Sequence, residues 1–181
     1  MNPMSDIKIE KLQIEEIDSF LLYFRKSIKE LFPIYSNNSY LYIVDMDYGS
    51  DWLGDRLKKG GKRAYVAKDG DKIVGYLLAA KPYAGVAFAD WLAVDNAFQK
   101  KGIASKFLSL WEKDMFEEGA HLLYLWTYSD PNIKFYKNRG FQQGGMLPKA
   151  WHGIDEYLMY KILREPKEEN FLKSYLSSKK P

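Results

Sequence analysis

Trp91-Leu92-Ala93-Val94-Asp95-Asn96-Ala97-Phe98-Gln99-Lys100-Lys101-Gly102-Ile103-Ala104 carries an apolar, strand-like run into a short turn and on into the start of an amphipathic helix. The first backbone N–H groups of a helix have no intrahelical acceptor, and they sit at the positive end of the helix dipole. Lys100 and Lys101 add two positive charges, and Gly102 has no Cβ to hold a ligand away from the backbone. A phosphate suits such a spot. Two other phosphate loops are excluded, because the chain has neither Gly-x-x-x-x-Gly-Lys-Ser/Thr nor Gly-x-Gly-x-x-Gly.

On either side of this stretch the pattern alternates between strand and helix. Residues 7–9 read as a short first strand. Ile14, Ile17, Leu21, Phe24, Ile28 and Leu31 recur at helical spacing and predict one core-facing helix, ended by Pro33. Residues 34–45 read as irregular, and 51–59 as a weaker helix. Asp69-Gly70-Asp71 between 63–68 and 72–80 is a hairpin signal, since Asp-Gly accepts the positive φ of a tight turn. Residues 86–94 form a third strand of this meander.

Beyond the turn, 103–118 reads as a helix with Ile103, Phe107, Leu110, Trp111 and Met115 on one face. Residues 121–128 are almost continuously apolar and predict a strand buried on both faces. A short helix over 131–139, a strand from Phe141 and a last strand over 154–162 complete the order. Pro166 marks the edge of the domain, so 1–165 reads as one domain and 166–181 as a C-terminal helix or tail. The order βα(α)βββαβαββ implies an α+β fold with a mixed sheet and helices on both faces.

Composition narrows the chemistry. The chain has 181 residues, and its 46% hydrophobic content supports a substantial core. No Cys is present, which excludes disulfides, thiol catalysis and Cys-ligated zinc. His121 and His152 are not spaced as metal ligands on one element, so no metal is expected. A net charge of +3 is too small to argue for nucleic acid. The tail lysines Lys167, Lys173, Lys179 and Lys180 are interleaved with Glu165, Glu168 and Glu169. No segment has the run of about 18 apolar residues that a membrane span requires, and the expectation is a cytoplasmic protein.

The Gln99-x-x-Gly102-x-Ala104 turn, after a strand ending Leu92-Ala93-Val94, resembles the central motif of the GNAT superfamily of acyl-CoA-dependent N-acyltransferases. A second block, Ser129-Asp130-Pro131-Asn132-Ile133-Lys134-Phe135-Tyr136-Lys137-Asn138-Arg139-Gly140-Phe141, ends in Phe-Tyr-x-x-x-Gly-Phe, like the family's late helix and strand. The resemblance spans about residues 5–163 and is strongest over 86–141. It implies the acyl-CoA N-acyltransferase fold, with a mostly antiparallel sheet of about six to seven strands. The implied function is N-acetyl transfer from acetyl-CoA, as co-substrate, to a primary amine.

By that resemblance, the backbone of Leu92, Ala93 and Val94 pairs with the pantetheine arm, and one of its N–H groups faces the thioester carbonyl. Gln99, Lys100, Lys101, Gly102, Ile103, Ala104 and Ser105 surround the pyrophosphate. Ser129 or Asn132 bonds the cofactor; the family often has Asn where Ser129 stands. Tyr136 takes the position that protonates the leaving thiolate in many relatives. Asp90 is the candidate base. Strand alternation places it on one face with Leu92 and Val94. A carboxylate of ordinary acidity is a weak base toward an ammonium, so Asp90 is expected to work through an ordered water.

The acceptor is less defined. Trp52, Trp151, Tyr40, Tyr42, Tyr48 and Tyr83 fall in segments that line the acceptor side in relatives, whereas Trp91, Trp111 and Trp126 are expected in or near the core. Asp45, Asp47, Asp51 and Asp55 suit a polyamine-like acceptor or a protein amine. A non-catalytic acyl-CoA-binding module is the rival on the same fold. Many relatives dimerise, and a homodimer is compatible with the chain.

Overall fold

The computed structural model describes residues 7–178. The predicted Lys179 and Lys180 of the tail lie outside the described residues. Seven strands form one sheet, β1 (Lys8–Lys11), β2 (Lys62–Asp69), β3 (Lys72–Ala80), β4 (Val86–Val94), β5 (Leu122–Thr127), β6 (Gln142–Leu147) and β7 (Glu156–Ile162). Their order is β1-β2-β3-β4-β5-β7-β6. β4 and β5 run parallel, while β1–β2, β5–β7 and β6–β7 are antiparallel. Flanking helices are α1 (Ile17–Leu31), α2 (Asn37–Tyr42), α3 (Ser50–Lys58), α4 (Ile103–Glu117), α5 (Asp130–Lys137), α6 (Glu168–Phe171) and α7 (Lys173–Ser178). The expected mixed, mostly antiparallel sheet flanked by helices is borne out.

The chain divides into two compact units, the first comprising 7–79 and 91–108 among the described residues, the second 80–90 and 109–178. In the first unit, Phe20, Phe24 and Ile28 of α1 pack with Ile43, Val44 and Leu53 against Val66, Tyr76, Leu78 and Ala93. The contacts are largely aromatic. Tyr76 lies edge-on to Phe20 at 5.4 Å and to Tyr23 at 5.9 Å. Trp91 is half-buried and meets Phe24, Phe32, Tyr35 and Tyr48 at 5.0–6.1 Å. Such pairs add about 0.5–1.5 kcal/mol each to their burial.

Three sequence expectations change here. Ile14 does not face the core; it is exposed in a separate 3-10 turn, Ile14–Glu16, and α1 begins only at Ile17. The turn is closed by Gln13 and Glu16 bonding across it, a local arrangement that outcompetes continuation of the helix. The stretch 34–45 is also more regular than expected. Ser36 Oγ accepts from Ser39 N–H and caps α2, and a π-helical turn, Ile43–Asp47, follows it.

The third change is in the second unit. β5 is buried on one face only, because Leu123, Leu125 and Thr127 are enclosed while Leu122, Tyr124 and Trp126 are half-buried. Apolar side chains on that second face stack with one another. Phe88 and Tyr124 lie at 4.8 Å, and Trp126 and Trp151 at 5.5 Å. Trp111 and Met115 of α4 are fully buried in this unit, as expected. α6 lies so close to Gly119 that a Cβ there would come within 2.2 Å of the Asn170 carbonyl, and Phe171 packs on His121 at 5.4 Å. Only a glycine, with φ +93°, fits at that approach.

Candidate active site

The turn between β4 and α4 lies in the first unit. Asp95 N–H bonds the Val74 carbonyl, and Tyr23 donates its hydroxyl to Asp95 Oδ1 at 2.6 Å, so the end of β4 is tied to β3 and to α1. Burial, with Asp95 beside it, holds the Tyr23 hydroxyl far above the ordinary tyrosine range. Neither partner was singled out from the sequence; the two lie 72 residues apart. A 3-10 turn, Asn96–Phe98, follows. Gln99 Nε2 donates back to the Val94 carbonyl and to Asn96 Oδ1, both at 3.0 Å. The motif glutamine therefore braces the turn with its side chain.

After Gln99 the backbone takes positive φ at Lys100 (+62°) and Gly102 (+81°). Left-handed residues beside a helix start turn successive N–H groups into one concavity, an arrangement that attracts anions. The Gly102 carbonyl takes the first bond of α4, from Lys106 N–H at 3.0 Å. The N–H groups of Ile103 and Ala104 lie in the first turn, where no earlier carbonyl is available. A Cβ built on Gly102 meets nothing within 4 Å, so the space in front of the turn is open. Lys100, Lys101 and Gly102 are exposed, Ala104 and Ser105 half-buried, and Ile103 buried. Lys101 Nζ rests 4.9 Å from the Phe98 ring centroid. Open space, positive charge and helix-start N–H groups are of the kind that suit a phosphate.

Along β4 the expected shared face of Asp90, Leu92 and Val94 is not visible in burial. Burial alternates from Val86 to Ala89, then Asp90, Trp91 and Leu92 are all half-buried while Ala93 and Val94 are both buried. Trp91 and Ala93 join the α1 core, which ends the simple two-residue period.

The late helix lies in the second unit. Ser129 stands at the N-cap of α5, yet its side chain makes no capping bond. Pro131 lies in the first turn, and Ile133 and Tyr136 are the buried residues. The Tyr136 ring contacts Phe135 at 5.2 Å and Phe141 at 5.7 Å, and Phe141 N–H bonds the Tyr136 carbonyl at 3.1 Å. This explains the Phe-Tyr-x-x-x-Gly-Phe block physically: the helix ends so that the aromatic after it folds back onto the tyrosine. The Tyr136 hydroxyl has no hydrogen-bond partner among the described residues. Burial pushes it well above the ordinary tyrosine range, with Tyr128 adding in the same direction. It is held as a neutral O–H. Ser129 and Asn132 are half-buried.

One functional candidate escaped the sequence reading. Glu156, the first residue of β7, is only 6% exposed, and burial raises its carboxyl to about 7. Its signal in the sequence is faint, a carboxylate in phase with Leu158 and Tyr160 on a strand whose one other charged residue is Lys161. Of the acidic residues expected to draw an acceptor, Asp45 pairs with Arg25 at 2.7 Å and Asp55 with Lys59 at 2.8 Å. Tyr83 is 86% exposed, and Tyr42, Trp52 and Trp151 are exposed as well. Among the described residues no group of three or more His, Asp or Glu could hold a metal ion. Among them, too, no helix is long and apolar enough to cross a membrane.

The fold recurs in solved acetyltransferases. The structure is similar to the PaiA N-acetyltransferase of Thermoplasma acidophilum in complex with coenzyme A, with TM-score 0.71, 20% identity and coverage of 87% of this chain and 99% of that one. It is similar to the ribosomal-protein-alanine N-acetyltransferase of Brucella melitensis, with TM-score 0.67, 20% identity and coverage of 86% and 99%. It also resembles an aminoglycoside 6'-acetyltransferase type Ii, at TM-score 0.67 and 20% identity, covering 88% and 99%. No curated protein sequence matches the chain. The acetyltransferase (GNAT) family model matches residues 24–141, from α1 through the Phe141 that closes on Tyr136. With the β4–α4 turn and the α5 helix end both inside that span, the chain belongs to the GNAT family of acetyltransferases.

Proposed function

We propose that this member of the family transfers acetyl from acetyl-CoA to a primary amine by direct attack in a ternary complex, with a small, polyamine-like amine as the favoured acceptor. The observation that carries the donor half is the open turn before α4, with its positive-φ residues and helix-start N–H groups. Acetyl-CoA supplies an activated thioester. Lys100, Lys101 and the backbone from Gly102 to Ser105 hold its pyrophosphate, while Gln99 keeps the turn in shape. The Leu92–Val94 backbone pairs with the pantetheine arm and offers an N–H where negative charge develops during attack, a contribution of about 3–4 kcal/mol in comparable sites. Ser129 and Asn132 provide hydrogen bonds to the arm. Tyr136 gives its proton to the departing thiolate. Asp90 draws the acceptor's ammonium in and starts its deprotonation through an ordered water.

The acceptor half rests on chemistry rather than on likeness. Solved structures at 20% identity are named for a ribosomal-protein alanine and for an aminoglycoside alike, so similarity favours neither. The test is thiol release from acetyl-CoA with spermidine, free amino acids, kanamycin and short peptides. Turnover fastest with spermidine is the expected result. Turnover with peptides alone would replace the small amine by a protein N-terminus or lysine. Acetyl-CoA binding without turnover across the panel would favour a non-catalytic module.

A further inference from the structure

The two outermost strands of an open sheet present backbone groups with no ladder partner, and each such edge invites another strand unless it is defended. The two edges of this sheet differ. β1 carries Lys8, Glu10 and Lys11 within its four residues, and Glu10 also holds Lys68 at 2.8 Å. Charge of this density keeps a foreign strand away. β6, at the other end of the order, has no charge at all. From Gly140 to Pro148 no residue is charged, and the strand itself contains no proline. All six residues of β6 are exposed, Met146 by 46% and Leu147 by 45%.

The register shows which part of this edge is regular. A bulge shifts the ladder with β7 between Gln143 and Gly145, and a bulge is one way of blunting an edge. Beyond it, Gly145, Met146 and Leu147 stand opposite Leu158, Tyr157 and Glu156 without a shift. Successive residues alternate faces, so Met146 projects to one side of the sheet and Leu147 to the other. On the Gly145 and Leu147 side the apolar surface continues inward. Leu158 lies opposite Gly145, Trp126 lies opposite Leu158, and the exposed Trp151 packs on Trp126 at 5.5 Å. Two identical antiparallel strands bring residues against their own counterparts, which an uncharged strand tolerates and a lysine-bearing one does not.

We propose that β6 is a self-association edge, pairing antiparallel with β6 of a second copy of this chain about a two-fold axis at Met146. Met146 then meets its own counterpart, and Gly145 meets Leu147 of the partner subunit. This arrangement closes, because each copy uses the same edge once. Pairing of β6 with β1 of a further copy would instead repeat into a filament, and the charges of β1 oppose it. Closure, together with the lack of like charges to bring face to face, selects a second copy over an unrelated strand. The interface uses none of the groups proposed for acetyl transfer and stands independently of that reading.

The test is the solution mass of the full chain, measured by light scattering across a concentration series. The wild type should approach twice the mass of one chain. Met146→Lys and Met146→Glu each set two like charges against one another and should weaken association by at least about 100-fold. An equimolar mixture of the two folded variants should recover it, since opposite charges then meet across the axis. Neither an unrelated occupant nor a misfolded variant can produce that recovery. Gly145→Lys is a second probe that leaves the fold undisturbed, because a Cβ there meets no atom within 4 Å, and it should weaken association as well. A wild type that keeps the mass of one chain throughout would overturn the proposal. So would a dimer that both Met146 variants leave intact, or a loss that the mixture of folded variants does not restore.

Discussion

The β4–α4 turn and the β5–β7 face solve opposite problems with opposite means. The turn is exposed and works through backbone: two positive φ angles, helix-start N–H groups and one bracing glutamine. Around β5 and β7 it is burial that sets side-chain protonation, with Tyr136 of the neighbouring α5 kept neutral and Glu156 raised to about 7. An anion-binding turn is specified by geometry that a few consecutive residues provide. Proton transfer depends on the local dielectric, which distant parts of the chain create. The two regions should therefore respond differently to substitution.

The largest effect is expected at the turn. Gly102→Glu places a carboxylate in the open space before α4, where the proposed function puts the pyrophosphate, and an L-residue at φ +81°. Acetyl-CoA affinity by calorimetry should fall on the order of 1,000-fold, about 4 kcal/mol. Stability should fall by only about 1–2 kcal/mol, from the positive φ alone, because no atom lies within 4 Å of the new Cβ. Wild-type affinity would remove the turn from the donor site.

The next effect belongs to the face and appears in stability. The Glu156 carboxyl rises from an ordinary 4.5 to about 7 on folding, so the folded state binds this proton more tightly than the unfolded one. That contribution is complete below about 4.5 and is lost as pH rises through 7, with a total of about 3 kcal/mol. Denaturant titrations of Glu156→Gln against wild type should diverge across that window, the variant becoming relatively more stable as pH rises. Parallel curves would mean that the carboxyl is ordinary.

Tyr136→Phe should lower kcat about 30-fold, near 2 kcal/mol, while acetyl-CoA binding changes little. The phenyl ring keeps the contacts with Phe135 and Phe141, so only the proton is lost. Unchanged kcat would remove the hydroxyl from the reaction. The smallest effect is at Gln99→Ala, which removes the bonds to the Val94 carbonyl and Asn96 and should cost about 1 kcal/mol in stability. Acetyl-CoA affinity should weaken a few-fold. An undiminished affinity would show that the turn holds its shape without the brace.

The same contrast explains what could be read in advance. Asp69-Gly70-Asp71 announces its hairpin because the turn chemistry is local, and β2 and β3 form on either side of it. Gln99-x-x-Gly102-x-Ala104 announces its turn for the same reason. Helical spacing located α1, but the spacing continued through Ile14, where a closed 3-10 turn intervened. The aromatic 34–45 stretch carried no clear period, and only the Ser36 cap shows where α2 begins. The apolar run of β5 suggested burial on both faces. What covers each face depends on other elements, and one face is a half-open aromatic floor.

By itself the sequence determined the main strands and helices, the Gln99 to Ala104 turn and the tyrosine helix end, because each is specified by residues a few positions apart. Only the tertiary structure paired Tyr23 with Asp95, folded Phe141 onto Tyr136, and buried Glu156 at the start of β7. Local conformational preference acts over a few residues. Desolvation is decided by whatever the rest of the chain brings alongside.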